Sequence, residues 1–297
     1  MAQKSRIDAF GAISLTGFAL LLAFNQVLIK FVNEGLQPMF FAGLRSLGGA
    51  IVIFAWMKVR GLSISIAPGT LPAGLMIGTV FALEFVCLFW ALDLTSVTRT
   101  SVIFYTMPMW LALAAHFLMP GERLTPVKLT GLAVAFAGVV VALTMRGDGG
   151  GEASLLGDIL ALLGAIFWAA IALCARATKL REVRPEMQLL WQLAVSAPLL
   201  LLASLAFGPL LRAPEMIHWI GLGAQILLIV SAGFLFWLWL LTIYPASSVA
   251  AFSFLTPVFG VALGWLVLGE EVGPGILVAL TLVCLGLLLI NRPARSG

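Results

Sequence analysis

An all-α integral membrane protein of ten transmembrane helices, arranged as two inverted five-helix repeats, is the fold class this sequence predicts, and three observations carry it. Of the 297 residues, 62% are hydrophobic and only 10% are charged, against roughly 25% charged in soluble domains; the mean hydropathy is +1.11. Apolar stretches long enough to cross a hydrocarbon core of about 30 Å, roughly 20 residues each, follow one another almost end to end with short connections. A series of marker residues in the first half recurs, in order, in the second.

The spans are read at 9–32, 38–57, 71–92, 97–119, 127–145, 155–177, 187–207, 217–243, 247–268 and 274–290. The first follows Lys4 and Arg6, as a signal peptide would, but its apolar run continues well past an h-region of about 7–15 residues, so it is read as a retained helix. Spans two and seven open after Pro38 and Pro185. The third ends in FWALDLT (Phe89 to Thr95) and the eighth in FWLWLLT (Phe236 to Thr242), 147 residues later. The fourth and ninth each carry a proline, Pro108 and Pro257, followed by the pairs Gly121-Glu122 and Gly269-Glu270. The fifth and tenth run apolar to Gly138 and Gly286, and Phe24-Asn25 of the first answers Phe167-Trp168 of the sixth.

A repeat of half the chain follows, with residues 1–148 as one five-helix unit and 149–297 as the other within one structural unit. Five is odd, so the second unit enters the membrane from the opposite side. Inverted repeats of this kind are a transporter architecture, with the substrate site near the midplane between the halves.

Charge orients the chain. With ten spans both ends face one side, and that side's loops hold Lys4, Arg6, Lys58, Arg60, Arg123, Lys128, Arg176, Lys179, Arg181, Arg184, Arg292 and Arg295, against Arg99, Arg146 and Arg212 on the other. The positive-inside rule makes the first set, and both termini, cytoplasmic. The net charge of +4 is thereby a matter of topology, and no loop is long enough to form a basic face for nucleic acid. Cys87, Cys174 and Cys284 fall in separate spans, which gives no disulfide framework. His116 and His218 have no companion at ligand spacing, so neither metal nor cofactor is expected. Nothing matches a G-x-x-x-x-G-K phosphate loop, which leaves gradients as the energy source, and an intramembrane enzyme would need paired carboxylates or a metal motif that the spans lack.

The repeated unit, the pattern Pro38-x-Phe40-x-Ala42-x-x-Arg45 and the Pro108 to Gly121-Glu122 and Pro257 to Gly269-Glu270 segments resemble the EamA-type members of the drug/metabolite transporter superfamily over essentially the whole chain. Among its branches the aromatic-rich central helices look most like the YddG amino-acid exporters. This resemblance implies export of amino acids from a bacterial cytoplasm, across the inner membrane, through a cavity lined by spans one, three, four, six, eight and nine. Neutral or aromatic amino acids are the leading substrates; drugs, purines or other small metabolites are the alternative. Membrane lipid is the other expected partner, and a monomer is expected to suffice.

Candidate site residues follow from polarity at mid-span. Glu84 is the carboxylate deep inside a span; an ionised group there costs roughly 2.5–3.5 kcal/mol on insertion scales, so it needs water, a cation or a proton. It is read as the group that receives a substrate ammonium or titrates during the cycle; a structural pair with Arg45 is the plainer reading. Phe81 shares its helix face. The 147-residue register puts Ser231 opposite Glu84. Tyr105 and Ser253 lie about one turn before Pro108 and Pro257, where their hydroxyls can bond a substrate or the carbonyls that proline frees. Trp168 sits in a stripe of small residues with Asn25 at the matching position of the first span, a ring to stack on an apolar ligand beside a donor and acceptor; helix packing is the competing use. Pro108 and Pro257 are read as kinks where a gate flexes. Gly74-x-x-x-Gly78 and Gly260-x-x-x-Gly264 are read as packing.

Overall fold

The computed structural model describes residues 7–119, 123–145, 154–244 and 251–291; Glu122 and residues 247–250 of the ninth span lie outside them. Among the described residues the chain is helical throughout. The first three spans are α1 (Ala9–Gly35), α2 (Pro38–Val59) and α3 (Leu71–Leu94). The fourth is divided into α4 (Val97–Phe104) and α5 (Met107–Leu118), and α6 (Pro126–Thr144) completes the first set. The second set runs α7 (Leu155–Ala177), α8 (Pro185–Ser204), an eighth span of α9 (Met216–Ala224) and α10 (Phe234–Ile243), then α11 (Leu255–Leu268) and α12 (Pro274–Ile290). Eight of these spans are long and apolar enough to cross a membrane, and 252–268 and 274–290 are shorter apolar helices. The ten-helix membrane fold stands.

Local chemistry explains the boundaries. Pro38, Pro126, Pro185 and Pro274 occupy the first helical position, where a missing N–H costs nothing. Asp8, Ser96, Thr125 and Ser154 cap helix starts by accepting an amide three residues on. The fourth span, read as one run with a kink at Pro108, stops at Phe104 and restarts at Met107. Pro108 accounts for it, because its ring excludes the carbonyl of residue i−4, which is Phe104. Pro257 does the same in the second set. There a 3₁₀ turn at Ala251–Phe254 precedes α11, and residue i−4 is Ser253. The eighth span departs from expectation in another way: Gln225–Gly233 winds as a π-helix between α9 and α10.

Large apolar side chains such as Phe10, Leu113, Phe136 and Leu202 remain exposed on the outside of the bundle, as lipid permits. Helix contact therefore depends on close packing of small residues. Gly74 and Gly78 seat Trp191 and Val195 of α8, so that glycine pair is an internal packing face, and Trp191 is buried instead of forming part of an interfacial belt. The last helices of the two repeats pack closely through their glycines: α6 lies along α12, Gly138 faces the Ala279 carbonyl, and a Cβ on Gly286 would lie 2.6 Å from the Ala135 amide nitrogen. α3 packs on α7 and α2 on α8, which interlocks the two sets.

Candidate functional site

One large cavity of about 1630 Å³ enters the bundle from one face and ends near its middle. Its mouth is edged by Arg123, Lys128, Arg176, Gln188 and Asn291, all near helix ends on the same side. Deeper, the wall turns apolar. Trp168 of α7 stacks on Phe104 of α4 with centroids 5.1 Å apart and meets Tyr105 edge-on at 5.9 Å. Phe81 and Phe85 of α3 lie 4.2 Å apart across from Leu22 and Phe18 of α1 on the lining.

At the blind end stand Glu84, Arg45 and Asn25. Glu84 is 5% exposed and Arg45 2%. No ion pair or hydrogen bond joins the two among the described contacts. The Arg45 guanidinium lies over the Phe85 ring at 4.7 Å and the Phe89 ring at 5.5 Å. Its Nη2 donates to Asn25 Oδ1 at 3.4 Å, a long contact, and Nε and Nη1 have no hydrogen-bond partner among the described residues. The plainer sequence reading, Glu84 fixed permanently by Arg45, is not what the side chains do.

The far side is sealed by contacts that cross between the repeats and by others within the first. Arg99 of α4 and Asp158 of α7 form a buried pair at 2.6 Å, with Thr95 donating to the same carboxylate. Glu270, just after α11, accepts the amides of Val97 and Thr98 at 2.6 and 2.7 Å. Arg212 reaches Asp93 at 2.6 Å. Lys30 and Asn33 at the end of α1 donate to carbonyls of α3 and its C-terminal turn, Thr95 at 2.9 Å and Phe89 at 2.9 Å. Among the described residues the cavity is thus open on one face and closed on the other.

Of the residues singled out from the sequence, Asn25, Phe81, Glu84, Tyr105, Trp168 and Ser253 line this cavity, as does Pro108. Ser231 and Pro257 do not line it. Ser231 falls in the π-helical segment and donates to the Ile226 carbonyl at 2.8 Å; the wider turn changes which side chains share a face, so a register carried over from an α-helix misplaces it. Pro257 is buried within α11. The Tyr105 hydroxyl donates to the Leu22 carbonyl of α1 at 2.8 Å, bridging helices beside the break. Ser253 accepts from Asn291 at 3.3 Å. Two features escaped sequence reading. Arg45 reads from the sequence as a partner for Glu84, yet a lone arginine in mid-span is itself a site signal. Arg99 reads from the sequence as a loop cation, whereas it lies in the first turn of α4 and is buried against Asp158.

The comparisons with known proteins agree with this architecture. The EamA-like transporter family model matches residues 9–144 and again 155–292. The uncharacterized transporter YoaV of Bacillus subtilis (strain 168) is 25% identical over 285 residues, 94% of each chain. The uncharacterized transporter YvbV of the same organism is 27% identical over 300 residues, 95% of this chain and 93% of its own. An uncharacterized transporter of Acidianus ambivalens, encoded in the sor 3′ region, is 30% identical over 260 residues, 84% of this chain and 92% of its own. A solved crystal structure superimposes with a TM-score of 0.68 at 20% identity, covering 93% of this chain and 95% of that one, a likeness of fold.

Proposed function

The chain belongs to the EamA-like transporter family and is a transporter, not an enzyme; from that premise we propose that it exports small amphipathic metabolites, neutral and aromatic amino acids foremost, by alternating access. The supporting observation is the cavity itself, walled by Phe81, Phe104 and Trp168, holding Glu84 at its blind end, open on one face and sealed on the other. An aromatic wall suits an apolar side chain, and a carboxylate in that wall suits an ammonium.

By the positive-inside rule the mouth, with Arg123, Lys128 and Arg176, faces the cytoplasm of a bacterium, and both termini lie on that side. The conformation is then inward-open. The repeats 1–148 and 149–297 move against one another as a monomer, in the manner of the YddG-type exporters, with the breaks before Pro108 and Pro257 absorbing the bend. Gradients across the inner membrane supply the energy.

Counterflow in proteoliposomes, run over all twenty amino acids, tests this. Labelled neutral or aromatic amino acid is expected to accumulate transiently against unlabelled amino acid trapped inside. Simple dissipation indicates a channel, and exchange of purines or drugs without amino acids overturns the substrate class.

A further inference from the structure

We infer that Arg45 is the receptor for a substrate carboxylate, so that the cavity's ligand is a zwitterion held between Arg45 and Glu84 and not an amine or a neutral compound. This deepens the transport reading above and rests on it. A guanidinium carries five N–H donors in a planar fork, and a buried one is ordinarily matched by a carboxylate that takes two of them. Among the described residues Nε and Nη1 have no partner, and Nη2 has only the 3.4 Å contact to Asn25. The cavity's own carboxylate, Glu84, is bonded to none of them.

What holds the side chain is stacking on Phe85 and Phe89. A ring supports the face of a guanidinium and leaves its N–H edge uncommitted. Arg45 borders the cavity wall with its unused Nε and Nη1 enclosed just beneath it, so a ligand at the blind end engages these donors once the guanidinium turns toward the cavity. The rest of the lining agrees in sign. Among the described residues its charged side chains are Arg45, Arg123 and Lys128 with Glu84, and Arg176, which itself has a partner, at the mouth, a lining that favours an anionic group beside Arg45. One carboxylate per ligand answers Arg45 and one ammonium answers Glu84, with the ligand's side chain left for Trp168 and Phe104.

The test uses the purified full chain and four probes of similar size: L-phenylalanine, L-phenylalaninamide, phenethylamine and phenylacetate, titrated with intrinsic fluorescence and thermal shift as readouts. The wild type is expected to bind phenylalanine about tenfold or more tightly than its amide, the range of a charge-assisted hydrogen bond. Arg45→Gln is expected to bring that ratio near one, and Arg45→Lys, which keeps the charge and loses the fork, to an intermediate value. If Arg45→Gln fails to fold, the wild-type and Arg45→Lys ratios carry the test. An amide bound as well as the acid, a ratio unchanged by substitution, or no binding of any probe overturns the inference. Counterflow of the same probes separates the two readings. Acid-selective binding that depends on Arg45 without exchange removes the transport reading and leaves the receptor standing. Equal exchange of acid and amide removes the receptor and leaves the transporter.

Discussion

The Glu270 carboxylate accepts the Val97 amide at 2.6 Å, tying the chain just past α11 to the first turn of α4 in the other repeat. Its second oxygen takes the Thr98 amide, so one side chain satisfies two of the orphan donors of a helix start and places a negative charge at the positive end of the helix. The Gly-Glu pair in the sequence is explained by this contact. Gly269 ends α11 at φ +66°, in the left-handed region that glycine favours, and the Glu270 amide folds back on the Gly264 carbonyl at 3.1 Å. Gly264 leaves the space the carboxylate occupies, since a Cβ there would lie 2.6 Å from Glu270 Oε2.

Glu270→Gln keeps the shape and removes the charge, and is expected to weaken the far-side seal by about 1 kcal/mol, the usual worth of a helix cap. Hydrogen exchange of the Val97 and Thr98 amides should quicken about fivefold while exchange in α6 and α12 stays as it was. Unchanged exchange at Val97 and Thr98 would show that the contact does not hold the seal.

Arg99 and Asp158 form a buried pair across the repeats. Removing one partner strands a charge in the protein interior, at a cost of about 3–5 kcal/mol. Arg99→Met or Asp158→Leu alone should lower the melting temperature strongly, and the double substitution should recover most of the loss. A double variant as unstable as the sum of the single ones would contradict the pairing.

Much of this was legible in the sequence, and the reason is physical. A bilayer forces each span to be a long apolar helix, so hydropathy alone locates ten of them, and proline acts on its own helix, so the breaks before Pro108 and Pro257 need no tertiary knowledge. Glu84, Trp168 and Tyr105, which line the cavity, draw notice in the sequence because a polar or bulky group in mid-span requires an explanation. Ser231 was misplaced because a π segment shifts the register, which no local pattern announced. The Arg99–Asp158 pair depends on how α4 lies against α7, and residues 59 apart in sequence carry no sign of that meeting.

Gly286 of α12 meets the backbone of α6, with the Ala135 nitrogen at 2.6 Å and the Gly131 carbonyl oxygen at 2.7 Å from where a Cβ would stand. Backbone cannot rotate aside as a side chain can. Gly286→Val is expected to force α6 and α12 apart and cost about 1–3 kcal/mol or more, read as a lower melting temperature in detergent; Gly17→Ala, with nothing within 4 Å of its added atom, is the control and should change little.

Glu84→Gln removes the charge proposed to receive an ammonium while preserving the side chain's size. Phenylalanine affinity is expected to fall about tenfold, with the preference for acid over amide retained through Arg45. A loss of that preference in Glu84→Gln, or no loss of affinity, would show that Glu84 does not bind the ammonium.

The most direct test of the account is whether the cavity opens alternately to the two faces. Single cysteines at Asn25, Phe81, Tyr105, Trp168 and Ser253, in a chain whose Cys87, Cys174 and Cys284 are replaced and which still transports, are to be labelled with a membrane-impermeant thiol reagent from either side. The account predicts that these positions label from the face bearing Arg123, Lys128 and Arg176, and that added substrate changes labelling from the two faces in opposite directions. Labelling from both faces at once, or from neither face under any condition, would contradict it.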